Sequence, residues 1–178
     1  MTSEQIESTV NALGFSDFKW IDPGEIVVAE WVRMKCKFGC DSYGRMATCP
    51  PNTPSVEECR RFFLDYHNAI VLHFPMVAPE QEKRKAYNTR INLKLLKLEN
   101  TIFMAGYPKA VGLFMAPCTM CAECVPNRVD CKKPAKGRPT PEGMAVDVFS
   151  TVRKLGYPIE VLTEKSQAIN RYAILMID

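Results

Sequence analysis

The chain has 178 residues, 47% hydrophobic and 24% charged, with a formal net charge of +3. That length buries a sizeable core without disulfide staples, and so mild a charge is no footprint for nucleic acid. No apolar run reaches the roughly 18 residues of a membrane span, and MTSEQIESTV has neither the basic nor the apolar region of a secretory signal. A single domain over residues 1–178 is expected, in the cytoplasm, where thiols stay reduced.

Residues 2–13 read as a helix: Thr2 with Gln5 makes a capping box, and Ile6, Val10 and Leu13 share a face. Gly14 ends it. Ile26–Val32 (IVVAEWV) reads as a strand, followed by an irregular stretch over 35–52. A helix starts at Thr53 and Pro54, with Glu57 and Glu58 near its positive end, and runs to Tyr66. Ala69–Phe74 is a buried strand closed by Pro75. Pro79 to about Ala105 is the longest helix, with Ile91, Leu95, Leu98 and Ile102 facing the core. Ala110–Ala116 is a strand that opens at Pro117 into a loop over 117–139. A helix from Thr140 to Leu155 ends at Gly156, and strands follow at Ile159–Leu162 and Tyr172–Ile177. This alternation predicts an α/β fold, a mixed sheet flanked by helices. Two cysteine-rich loops follow strands, as ligand loops do in such folds.

Eight cysteines carry the chemistry. Cys118, Cys121, Cys124 and Cys131 stand in Cys-x2-Cys-x2-Cys-x6-Cys order, the ligand run of an iron–sulfur cluster. Zinc is the competing metal, but its sites usually take two Cys-x2-Cys pairs a dozen or more residues apart. Cys36, Cys40 and Cys49 form a looser group, with Gly39 and Gly44 to let the backbone fold tightly and Pro50 and Pro51 to stiffen the exit. Cys59 trails on a helix. It is either the fourth ligand of that group or a small buried residue. In the second case the first site keeps an open position or takes a non-cysteine ligand.

The segments CKFGCDSYGRMATCPPNTPSVEECRRFF, PCTMCAEC and RPTPEGMAVDVFSTVRKLGYPIEVL resemble the DUF2284 proteins, described as predicted metal-binding proteins of prokaryotes, many of them anaerobes. The resemblance runs from about Cys36 to the C-terminus. It implies metal binding through Cys36, Cys40, Cys49, Cys118, Cys121, Cys124 and Cys131, and it assigns no role to Cys59. Ala145 stands where such proteins carry glycine, which bears on the close packing of that helix.

Other features have plain readings beside functional ones. Lys83, Arg90, Lys94 and Lys97 are either a solvated helix face or a docking face for an acidic redox partner. Lys132, Lys133, Lys136 and Arg138 tune a nearby cluster, bind an anionic substrate or partner, or form a solvated loop. His67 and His73 read as structural. Tyr43 and Arg45 order the first cysteine loop or touch a ligand, and Asp147 is a cap or an acid.

The leading expectation is an iron–sulfur protein with two clusters of the 4Fe–4S type, in electron transfer or as a redox accessory to a partner enzyme, with neither nucleic acid nor membrane as partner. The second is an iron–sulfur enzyme whose three-cysteine cluster exposes one iron as a Lewis acid. The third is a zinc-binding structural or sensing module.

Overall fold

The computed structural model describes residues 2–77, 81–164 and 167–178. Helix α1 (Ser3–Ala12) begins at the expected reciprocal cap, Thr2 Oγ1 accepting from Gln5 N and Gln5 Oε1 accepting from Thr2 N. Ile6 and Val10 are buried, and Gly14 ends the helix at φ +78°, a conformation open to glycine at little steric cost. Strand β1 (Phe18–Ile21) follows. Its four residues are too few to announce a strand by alternation.

The largest departure from the sequence reading lies at Ile26–Val32. Only Val28 makes a bridge there, to Val146. Helix α2 (Glu30–Gly39) takes up the rest, including Trp31, Val32 and Cys36. Val27 and Val28 have strand preference but no neighbouring strand to extend a ladder, and propensity of this kind yields to tertiary context. Helix α3 (Val56–Leu64) starts at Ser55, which forms a capping box with Glu58, and stops two residues before Tyr66.

Strand β2 (Ala69–Val77) runs through Pro75 rather than closing there. His73 N donates towards Asp17 O on the β1 side. Pro75, two residues on, faces the same way past the end of β1, so its missing N–H breaks no ladder bond. Helix α4 (Gln81–Met104) buries Ile91, Leu95, Leu98 and Ile102 as expected; the start read at Pro79 lies outside the described residues. Strand β3 is only Val111–Leu113, and β4 is longer than expected, Ala168–Met176. No strand forms at Ile159–Leu162, where Val161 and Leu162 are exposed.

The helix expected over 140–155 is broken. A one-turn 3-10 helix (Glu142–Met144) leads to Ala145 at φ +59°, and helix α5 (Val148–Lys154) begins afresh, with Asp147 accepting from Ser150 N at 3.0 Å. Asp147 is therefore the cap of its own helix. Gly156 (φ +71°) follows its end.

The strand order is β1-β2-β4-β3, with every pairing antiparallel. The expected mixed sheet is thus corrected: the segment that was to bring a parallel neighbour, Ile26–Val32, is a single bridge at Val28 followed by the start of α2. Side chains alternate across the sheet. Ile70, Leu72, Phe74, Ala173 and Leu175 pack with α1 and α4, while Val71, Ile174 and Met176 pack with Phe63 of α3 and Val152 of α5. No helix among the described residues is long and apolar enough to cross a membrane.

Candidate metal centre and adjoining cavity

The first cysteines do not sit on a loop after a strand. Cys36 lies on α2, Cys40 is its C-terminal cap, and Cys49 lies in a run of turns. Those turns are closed by Tyr43 N on Cys40 O, Cys49 N on Met46 O and Gly44 N on Pro50 O. Gly44 has φ +68°, so the glycine is required there; Gly39 has no such geometry. Arg33 braces α2 by donating to Thr53 Oγ1 at 2.8 Å, Pro54 O at 2.9 Å and Gly143 O at 3.2 Å.

Cys118, Cys121, Cys124 and Cys131 follow β3, on a segment held by a side chain of α4 and by one of its own. Thr89 and Thr119 hydroxyls meet at 2.6 Å, and Lys133 Nζ donates to Met120 O at 2.6 Å. Asn52 joins the two cysteine segments. Its Nδ2 donates to Pro126 O at 2.6 Å and to Met46 O at 3.2 Å, and its Oδ1 accepts from Arg128 N at 3.1 Å. The sequence offered no signal for this residue, since its partners are far away in the chain.

The thiols feel one another. Burial pushes Cys49 up to about 11, and the charges of Cys40, Cys36, Cys124 and Cys118 add to it, so both groups bear on one side chain. Cys36 is raised by burial, then by Cys40 and Glu142, against Arg33. Cys118 is raised by burial, then by Cys124, Cys131 and Cys121, while a hydrogen bond from the Met120 backbone acts the other way. Thiols that oppose each other's ionisation are a donor set that a bound cation would deprotonate. Cys59 stands apart. It is fully buried beside Phe63, and its Sγ donates to Pro54 O at 3.6 Å. The charges bearing on it are Arg33 and Glu58.

Among the described residues, no group of three or more His, Cys, Asp or Glu side chains is arranged to hold a metal ion. The expected ligand loops are therefore not ligand-ready; cysteine spacing fixes where sulfurs sit in the chain, not the rotamers that make them converge. The cysteines do gather around two spaces. The second group lines a void of about 20 Å³ with Thr48 and Lys133. That is the room of about one water molecule, so a four-iron cube needs the segment to spread.

The first group faces something larger. Cys36, Cys40 and Cys49 line a cavity of about 540 Å³ together with Tyr43, Glu142 and Arg171. Its origin is a mismatch in strand length. Strand β3 covers only Ile174–Met176 of β4, and Phe114 then leaves the sheet to bond Pro139 O at 2.8 Å. The cavity opens between the departing Met115–Pro117 and the flank of β4 at Asn170–Tyr172. Desolvation by the surrounding protein raises the Glu142 carboxyl, with Thr140 and Arg171 among the groups opposing it, although the residue keeps an exposed side. Glu142 and Arg171 were not singled out from sequence: one sits in a broken helix, the other in a strand.

Remaining candidates fall into place. Arg138 is structural: it bonds Glu99 at 2.6 and 3.0 Å, and Glu99 Oε2 also accepts from Gly112 N. His73 is buried between Asp17 Oδ2 at 2.6 Å and Asn170 Oδ1 at 2.8 Å and stacks on Tyr172. His67 and Arg45 are exposed and line neither space. On α4 an open groove is lined by Lys85, Arg90, Leu93, Lys94 and Lys97, so Lys85 takes the place given to Lys83.

Comparisons with curated proteins and with solved structures return no match. The family model of DUF2284, described as a predicted metal-binding protein, matches residues 19–177, and the chain belongs to that family.

Proposed function

We propose that the chain is an iron–sulfur protein with two cysteine-held sites and that the first of them acts on a substrate. One observation carries this reading: Cys36, Cys40 and Cys49 open onto a cavity of about 540 Å³, whereas the four later cysteines enclose about 20 Å³. With Cys59 in the core, the first set offers three sulfurs. A cluster held by three thiolates leaves one iron free to polarise a substrate atom, and a cluster held by four carries electrons. The chain's own contribution is to shape and dry the cavity. Tyr43 and Glu142 put a hydroxyl and a carboxyl on its wall.

The second reading is an electron carrier or redox accessory whose acidic partner docks on the basic groove of α4. Its support is the Thr89–Thr119 contact, which puts that helix against the second cysteine segment. Zinc in a structural or sensing module is the third.

Iron and acid-labile sulfide per chain, measured on protein purified without oxygen and paired with electron paramagnetic resonance before and after dithionite, test all three. About eight of each, with interacting signals, means two cubanes. About four of each leaves one site for zinc or another role. Stoichiometric zinc without iron overturns the iron–sulfur reading.

A further inference from the structure

The cavity beside Cys36, Cys40 and Cys49 has the size and make-up of a ligand site rather than of a channel. Its volume, about 540 Å³, falls within the roughly 300–1,000 Å³ of small-molecule pockets, which are mostly apolar with a few polar groups. Trp31, Phe149, Ile159 and Tyr172 give it apolar and aromatic walls.

Arg171 is the exception on that wall. It is half-buried, and its Nη1 meets the Asn88 side-chain amide at 3.3 Å. No ion pair engages it among the described residues. A guanidinium taken partly out of water is costly without an anion, and its planar fork matches a carboxylate. Glu142 also lines the cavity, and it is the carboxylate whose charge is felt by both Cys36 and Arg171. Arg84 bears on Arg171 with the opposite sign, so what disfavours inorganic phosphate is the apolar wall, against which it has nothing to bury.

We propose that the cavity binds a small organic acid: Arg171 receives the carboxylate, and the wall of Trp31, Phe149, Ile159 and Tyr172 covers the apolar body. The other end of such a molecule faces the three cysteines. That it meets a metal there rests on the function proposed above; binding of the acid does not.

The test uses the full chain, purified without oxygen, with metal measured on the same samples. Each sample is titrated with hexanoate, hexan-1-ol and inorganic phosphate, followed by tryptophan emission and by heat. Trp31 lines the cavity, whereas the other tryptophan, Trp20, donates to Glu7, so Trp31→Phe assigns the emission change. Hexanoate is expected to saturate, with hexanol and phosphate at least about tenfold weaker. Arg171→Gln is expected to weaken hexanoate about 10- to 100-fold and leave hexanol unchanged, the scale of a charge-assisted hydrogen bond. Should that variant not fold, Ile159→Trp keeps Arg171, fills the cavity and is expected to abolish the heat of hexanoate binding. Equal binding of acid and alcohol, a preference for phosphate, or undiminished hexanoate affinity in folded Arg171→Gln or Ile159→Trp overturns the proposal. Saturable hexanoate binding in metal-free samples upholds it while sinking the metal reading. Full metal content without hexanoate binding does the reverse.

Discussion

The two cysteine groups look alike in the sequence and differ in the fold. The first is carried by a helix, its cap and a set of backbone-bonded turns, and it opens on a large cavity. The second is carried by a segment held from outside through Thr89 and Asn52 and from within through Lys133, around a void of about one water's size. The lesson is that ligand spacing and ligand surroundings are separate pieces of information. Spacing says that sulfurs can meet, and surroundings say whether anything else can reach them.

The largest expected effect breaks the pair apart. Cys49→Ser should empty the first site and Cys118→Ser the second, each losing its own set's metal, roughly half the total, because thiolates supply the binding. Metal and sulfide analysis of both variants checks this, and one substitution emptying both sites would mean a single shared centre. Next comes Glu99→Ala, which removes one partner of a mostly buried ion pair and the acceptor of Gly112 N. A loss of about 3–5 kcal/mol is expected in denaturant unfolding, against less than about 0.5 kcal/mol for the exposed Lys132→Ala, which would show that Arg138, unlike Lys132, pins the basic loop.

Asn52→Ala sharpens the comparison by cutting the clasp between the groups. The expected cost is about 1–3 kcal/mol, since Pro126 O and Arg128 N lose their partner, and metal should fall at both sites. Cys59→Ala is smaller, about 1–2 kcal/mol from a cavity in the core, with metal content unchanged; metal loss would make Cys59 the fourth ligand of the first site.

The smallest effect is seen only in alkali. Burial, with help from Asp17, raises Tyr157 and lifts Tyr172 from 10.0 to about 12. The folded chain then holds these protons when the unfolded chain has lost them. Stability they support is present below pH 10.0 and is lost as pH rises through about 12. Absorbance titration of tyrosinate should find them ionising last, a delay absent in the doubly substituted Tyr157→Phe/Tyr172→Phe chain.

Local chemistry was legible wherever neighbours in the chain decide it. Thr2 with Gln5 caps α1, the four apolar positions of α4 face inward, and Ala69–Phe74 is core strand, because caps and periodicity act within a few residues. The cysteine runs and the family were equally plain in sequence. Ala145 is a case between: the resemblance marked it as a glycine position, and its φ of +59° gives the reason, since a left-handed residue is cheapest without a Cβ.

What tertiary structure alone decided involves partners far apart in the chain. Strand direction follows from which strands exist, so the exchange of one strand for α2 turned a mixed sheet into an antiparallel one. Asn52 meets Pro126, Glu99 meets Arg138, and Glu142 and Arg171 share a cavity with Cys36. The sequence by itself determined how the cysteines are spaced in two runs, and only the structure put Cys59 in the core. The unequal lengths of β3 and β4 decided that one group of them faces open space, because a short strand beside a long one leaves a flank that no local pattern records.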